Sequence, residues 1–135
     1  MSSSRLSLVF LWLALAAGNS LAADEAFLIE RQYGQVAYLS GGIGEEERLA
    51  IRAREREFNL ALIFAGRDGS YLGDVDVLIS GPRGETVLEA YAVGPFLLAR
   101  VPSGRYRIKA MAEGTVQRQE LVVGGQPRHE RVFRW

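Results

Sequence analysis

The chain has 135 residues, 16 Lys+Arg against 16 Asp+Glu, one His and no Cys. Without cysteine there is no disulfide framework, thiolate nucleophile, iron–sulfur cluster or cysteine-bearing zinc site, and a single histidine removes His-rich metal sites. Balanced charge argues against a general nucleic-acid binder, which needs a net basic surface to displace counterions.

Residues 1–22 read as a secretory signal peptide. Arg5 supplies the positive n-region, and Leu6 to Ala17 form an apolar run. At twelve residues that run is too short to span a bilayer, which takes about 20 apolar residues. Ser20 and Ala22 fit the small-x-small rule for cleavage after Ala22, with cleavage after Ala23 the second choice. The mature domain, residues 23–135, then carries a net charge of −1 once Arg5 is removed. Among the cations only Lys109 is a lysine. An exported domain of this size without disulfides suits a bacterial envelope, so the expected address is the periplasm, with release from the cell as the alternative.

Within that domain, Val36 to Leu39 reads as a short strand ending at the glycine-rich Ser40-Gly41-Gly42-Ile43-Gly44. A helix is expected at about 45–57. Glu45, Glu46 and Glu47 oppose the dipole in its first turn, and Glu45/Arg48, Arg52/Glu55 and Arg54/Glu57 are i,i+3 opposite-charge pairs. Its apolar stripe, Ile43, Leu49, Ala50, Ile51 and Ala53, is thin and interrupted by charges, as for a surface helix covering a sheet edge or face. Asn59 is placed to end it in the left-handed conformation.

From residue 60 the pattern becomes short apolar or alternating runs, punctuated by turn residues every eight to twelve positions. The runs are Leu60 to Ala65, Val75 to Ser80, Thr86 to Ala92, Phe96 to Val101, Arg105 to Ala112, Val116 to Val123 and a closing Arg131 to Trp135. That spacing predicts a mostly β sandwich of seven or eight strands with one short surface helix. Alternation puts Tyr106, Ile108 and Ala110 in the core, with Arg105, Arg107 and Lys109 on the opposite face; Val75 and Val77 also point inward, with Asp74 and Asp76 outward. In the last run Phe133 and Trp135 share a face with Arg131, a conflict that a bulge would reconcile.

The segment Val101-Pro102-Ser103-Gly104-Arg105-Tyr106-Arg107-Ile108-Lys109-Ala110 resembles the hydrophobic-x-Pro-x-Gly-x-Tyr-x-hydrophobic-x-Ala hairpin of carboxypeptidase regulatory-like domains. Val75 to Ile79, Gly81 to Gly84 and Thr86 to Leu88 resemble that family's earlier strand, turn and strand. The resemblance covers roughly residues 60–135 and implies a transthyretin-like or immunoglobulin-like sandwich, with a noncatalytic docking or ligand-presenting role. It also places the Tyr106 ring in the core and its hydroxyl at a backbone partner. One enzymatic transthyretin-like branch, the 5-hydroxyisourate hydrolases, uses histidines, an arginine and a Tyr-Arg-Gly-Ser tail. This chain has only His129 and ends Phe133-Arg134-Trp135, so that site does not carry over.

Other chemistries meet simpler readings. The glycine stretch before the helix could cradle a phosphate, but three glutamates already occupy the positive dipole end and no Lys-Ser/Thr completes the motif. Asp68, Asp74 and Asp76 lack an EF-hand spacing and read as turn and solvent-face residues. His129, beside Pro127 near a turn, reads as exposed, and Trp135 as core or rim packing. The remaining candidate is a cationic strip of Arg105, Arg107 and Lys109, with Arg118 a further member. It offers contact to an anionic glycan, lipid headgroup or acidic protein, but the simpler reading is a solvated face or, on an edge strand, protection against sheet-to-sheet aggregation. The expected function is a noncatalytic envelope module without catalytic residues, cofactor or metal, contacting a protein through a sheet edge or loop end. A glycan- or cell-wall-binding module is the alternative.

Overall fold

The computed structural model describes residues 28–125 and 128–135. The expected signal peptide and its cleavage site lie outside the described residues. The elements run β1 (Arg31–Tyr33), β2 (Val36–Gly41), α1 (Glu45–Arg54), a 3-10 turn (Glu55–Glu57), β3 (Leu60–Ala65), β4 (Val75–Ser80), β5 (Thr86–Ala92), β6 (Phe96–Arg100), β7 (Gly104–Ala112), β8 (Thr115–Val123) and β9 (His129–Arg134). They form a five-stranded sheet of order β1-β2-β6-β3-β9 and a four-stranded sheet of order β5-β4-β7-β8. The mostly β architecture with one short helix is as the alternation and turn spacing imply.

The strands number nine among the described residues rather than seven or eight. The additional one, Arg31-Gln32-Tyr33, has no buried residue to reveal it. It joins β2 through Gly34-Gln35, with Tyr33 opposite Val36 and Gly34 at φ 56, as in a two-residue hairpin whose first loop position is glycine.

Two apolar layers hold the molecule together. Between the sheets, Leu60, Leu62, Phe64, Val75, Val77, Ile79, Leu97, Tyr106, Ile108, Ala110 and Phe133 are buried in one cluster. On the other face of the five-stranded sheet, Ile51 joins Leu28, Leu39, Phe58, Ala61, Phe96 and Leu98. The helix therefore covers a sheet face rather than an edge. Both faces of β3 and β6 are buried, which is why these strands read as continuous apolar runs. Of the expected helix stripe only Ile51 is fully buried, while Ile43 and Leu49 are 60% and 58% exposed.

The helix ends differ from expectation in detail. Arg54 bonds Glu57 at 2.9 Å, but it also reaches Glu30 at 2.7 Å, and Glu55 pairs with Arg128 at 3.2 Å instead of with Arg52. No Glu45–Arg48 ion pair occurs among the described residues. Glu47 turns back to accept the Gly42 N–H at 2.9 Å, satisfying a backbone donor just ahead of the helix. Asn59 does not adopt a positive φ. The helix closes through the 3-10 turn, and Asn59 instead bonds both backbone groups of Val101, donating at 2.6 Å and accepting at 2.9 Å.

Strand β9 pairs in parallel with β3 in unbroken register from Leu60–His129 to Ala65–Arg134. The bulge expected near Arg131 is therefore absent from this ladder. Phe133 is buried against Phe64 and Trp135, while Arg131 is accommodated half-buried on the same side. The Trp135 indole donates to the Thr115 carbonyl at 2.9 Å and Gln119 donates to Val132 at 2.8 Å, stitching β8 to β9 across one side of the sandwich.

Candidate binding surfaces

Arg105, Arg107 and Lys109 alternate on the exposed face of β7, as expected. β7, however, is flanked by both β4 and β8. The expected edge-protecting role is thus overturned by topology for Arg107 and Lys109, which have paired strands on both sides, while Arg105 lies beyond the end of the β4 ladder and is paired on the β8 side.

The register fixes their neighbours. Arg107 stands opposite Glu120 and pairs with it at 3.0 Å, with both side chains largely in solvent. Lys109 stands opposite Arg118, so two like charges face each other across adjacent strands, an unfavourable arrangement. Across the same face, β4 and β5 present Asp76 opposite Tyr91 and Leu78 opposite Glu89. The outer face is consequently divided, acidic over β4 and β5 and mainly basic over β7 and β8. It is uncovered by any described element, and Tyr91 and Met111 remain 53% and 40% exposed.

A second surface was not legible in the sequence. Where the β1–β2 edge approaches the β5 edge, a groove of about 430 Å³ is lined by Ile29, Arg31, Tyr38, Ser40, Gly41, Ile43, Glu47, Tyr91 and Val93. Four of these, Ile29, Ile43, Tyr91 and Val93, are apolar side chains more than half exposed. The hydroxyl of Ser40, in its lining, is buried without a hydrogen-bond partner among the described residues. Closely packed glycines adjoin the groove at Gly41. Gly94 lies so close to Gly41 that a Cβ there would sit 2.3 Å from the Gly41 carbonyl oxygen, and one on Gly42 would meet the Phe96 ring at 2.3 Å. Among the described residues, β5 has β4 on one side and no strand on the other, leaving its outer backbone edge unpaired within the sheet.

The other candidates resolve into local structure. The Asp68 carboxylate accepts from the backbone and hydroxyl of Ser70, whose hydrogen bonds hold it below the usual carboxylate range. Asp74, at φ 58, accepts from the Tyr91 hydroxyl at 2.8 Å, which pushes the Tyr91 phenol upward. His129 is half-buried rather than exposed: its Nε2 accepts the Gly124 N–H at 3.3 Å, and its backbone donates to Asn59 at 2.9 Å. The Tyr106 ring is buried and its hydroxyl donates to the Pro102 carbonyl, the contact implied by the Pro-x-Gly-x-Tyr pattern. No helix among the described residues is long and apolar enough to cross a membrane. Compared with known proteins, the chain matches no family model and no curated protein.

Proposed function

We propose that this protein is a noncatalytic, exported binding module of the bacterial envelope, of the carboxypeptidase regulatory-like kind, which docks a protein partner in the groove between β1–β2 and β5. The observation that carries this reading is the coincidence of exposed apolar side chains with an unpaired strand edge. Single exposed apolar residues are ordinary, whereas four converging on one groove favour an occupant. Tyr91 and Val93 are two residues apart, as are Ile29 and Arg31, matching the period of an extended peptide. Such a peptide gains main-chain hydrogen bonds from β5 and specificity from the apolar pockets. Arg31 and Glu47 at the rim supply charges to set its direction. The export assignment rests on residues 1–22, with their short apolar run and small-residue cleavage site.

The test is affinity capture of the tagged protein at native expression, comparing wild type with Ile43→Asp and Val93→Asp. Both positions are exposed, so folding is expected to persist. One envelope protein retained by the wild type and lost from both variants supports the reading. Retention by all three, or recovery of polysaccharide in place of a protein, contradicts it.

A further inference from the structure

We propose that the outer face of the four-stranded sheet is a self-complementary interface, joining two copies of this chain face to face about a two-fold axis that runs parallel to the strands. This goes beyond the groove: the two surfaces share Tyr91, but the charged residues that carry the proposal, Asp76, Glu89, Lys109 and Arg118, lie outside the groove lining.

The inference rests on the distribution of charge over the face. Cross-strand rows read Tyr91–Asp76–Met111–Val116 and Glu89–Leu78–Lys109–Arg118 from β5 to β8. Asp76, Glu89, Lys109 and Arg118 are exposed, and none takes part in an ion pair among the described residues. A two-fold axis along the strands, between β4 and β7, lays β5 of one copy over β8 of the other while keeping each row in place. Glu89 then faces Arg118 of the second copy, Asp76 lies diagonal to Lys109, and Tyr91 covers Val116. The reciprocal set forms by symmetry. Leu78 lies over the aliphatic stem of Lys109. The unfavourable Lys109–Arg118 juxtaposition is relieved, because each copy brings its carboxylates to the other's cations. An axis in the plane of the sheet and perpendicular to the strands would instead lay β5 on β5 and β8 on β8, acidic half on acidic half and basic half on basic half, so charge selects one orientation. A ligand that is simply anionic fits less well, because Glu120 and the acidic half of the face oppose it.

Sedimentation of the purified exported protein over a concentration series tests this, using Arg118→Glu, Glu89→Arg and the double variant. The wild type is expected to form a dimer that weakens with salt. Each single charge reversal creates two like-charge contacts per dimer and is expected to raise the dimer Kd by about tenfold. The double variant is expected to restore it. A wild type that stays monomeric at the highest soluble concentration overturns the proposal, as does a dimer that neither single reversal weakens. A monomer that binds dextran sulfate, and loses that binding in Arg118→Glu, also overturns it and assigns the basic half to an anionic ligand.

Discussion

Tyr106 and Asn59 tie loops to the sandwich by the same device, a polar tip reaching backbone groups that no strand partner would satisfy. Tyr106 donates to Pro102 from within the inter-sheet core, and Tyr106→Phe is expected to cost about 1 kcal/mol in urea unfolding, the ordinary net worth of such a bond. Burial, with a smaller contribution from the Glu85 charge, raises the phenol above its usual value. A raised folded-state pKa contributes stability that is complete below the unfolded value and is lost as pH rises through the folded one. Stability should therefore fall in the alkaline range beyond the usual tyrosine pKa. Tyr106→Phe should make that fall shallower without abolishing it, because the Tyr91 phenol is also raised. Asn59 makes both of its bonds to Val101, and Asn59→Ala leaves two half-buried backbone groups unpaired, with an expected cost of about 1–3 kcal/mol by chemical denaturation. The Tyr106 contact was legible because a Pro-x-Gly-x-Tyr pattern names its own turn. Asn59 was not, because its partner lies 42 residues away, and a residue at a helix end reads first as a cap.

At the scale of elements, helix α1 is held to the sheet by one fully buried side chain on its own length, Ile51. Ile51→Ala is expected to destabilise by about 2–5 kcal/mol and Leu49→Ala, at an exposed position, to be within about 0.5 kcal/mol of wild type. Equal effects in a denaturation series would contradict this division of the helix into a buried and a solvated side. The β7–β8 hairpin turns on Glu113 and Gly114, at φ 51 and 76, a conformation in which both loop residues favour Asn-Gly. Glu113→Asn is therefore expected to raise thermal stability by a few tenths of a kcal/mol. Strands β4 and β7 were readable because one face is core and the other solvent, so their alternation is clean. The helix face was less so: Ile43, Leu49 and Ile51 look alike in sequence, and only the position of the underlying sheet selects which is covered.

For the whole molecule, turn spacing and alternation imply two packed sheets but leave their strand order open. That order decides which surfaces are presented to solvent. It makes β7 an interior strand, turning the strip Arg105, Arg107 and Lys109 from an edge guard into half of a divided face, and it pairs β9 in parallel with β3 after a return from the other sheet. It also gathers residues from β1, β2, the glycine stretch before α1 and the end of β5 into one groove. No local motif links those positions, since each contributes one or two side chains to a surface that exists only once the sheets stack. The most direct test of the central claim is photo-crosslinking in cells from position 93, beside the groove, with position 56 on the exposed 3-10 turn as control. One envelope protein is expected to attach at position 93, to be absent at 56, and to be lost when Ile43→Asp is added. Equal crosslinking from both positions, or a product at position 93 unaffected by Ile43→Asp, would contradict it.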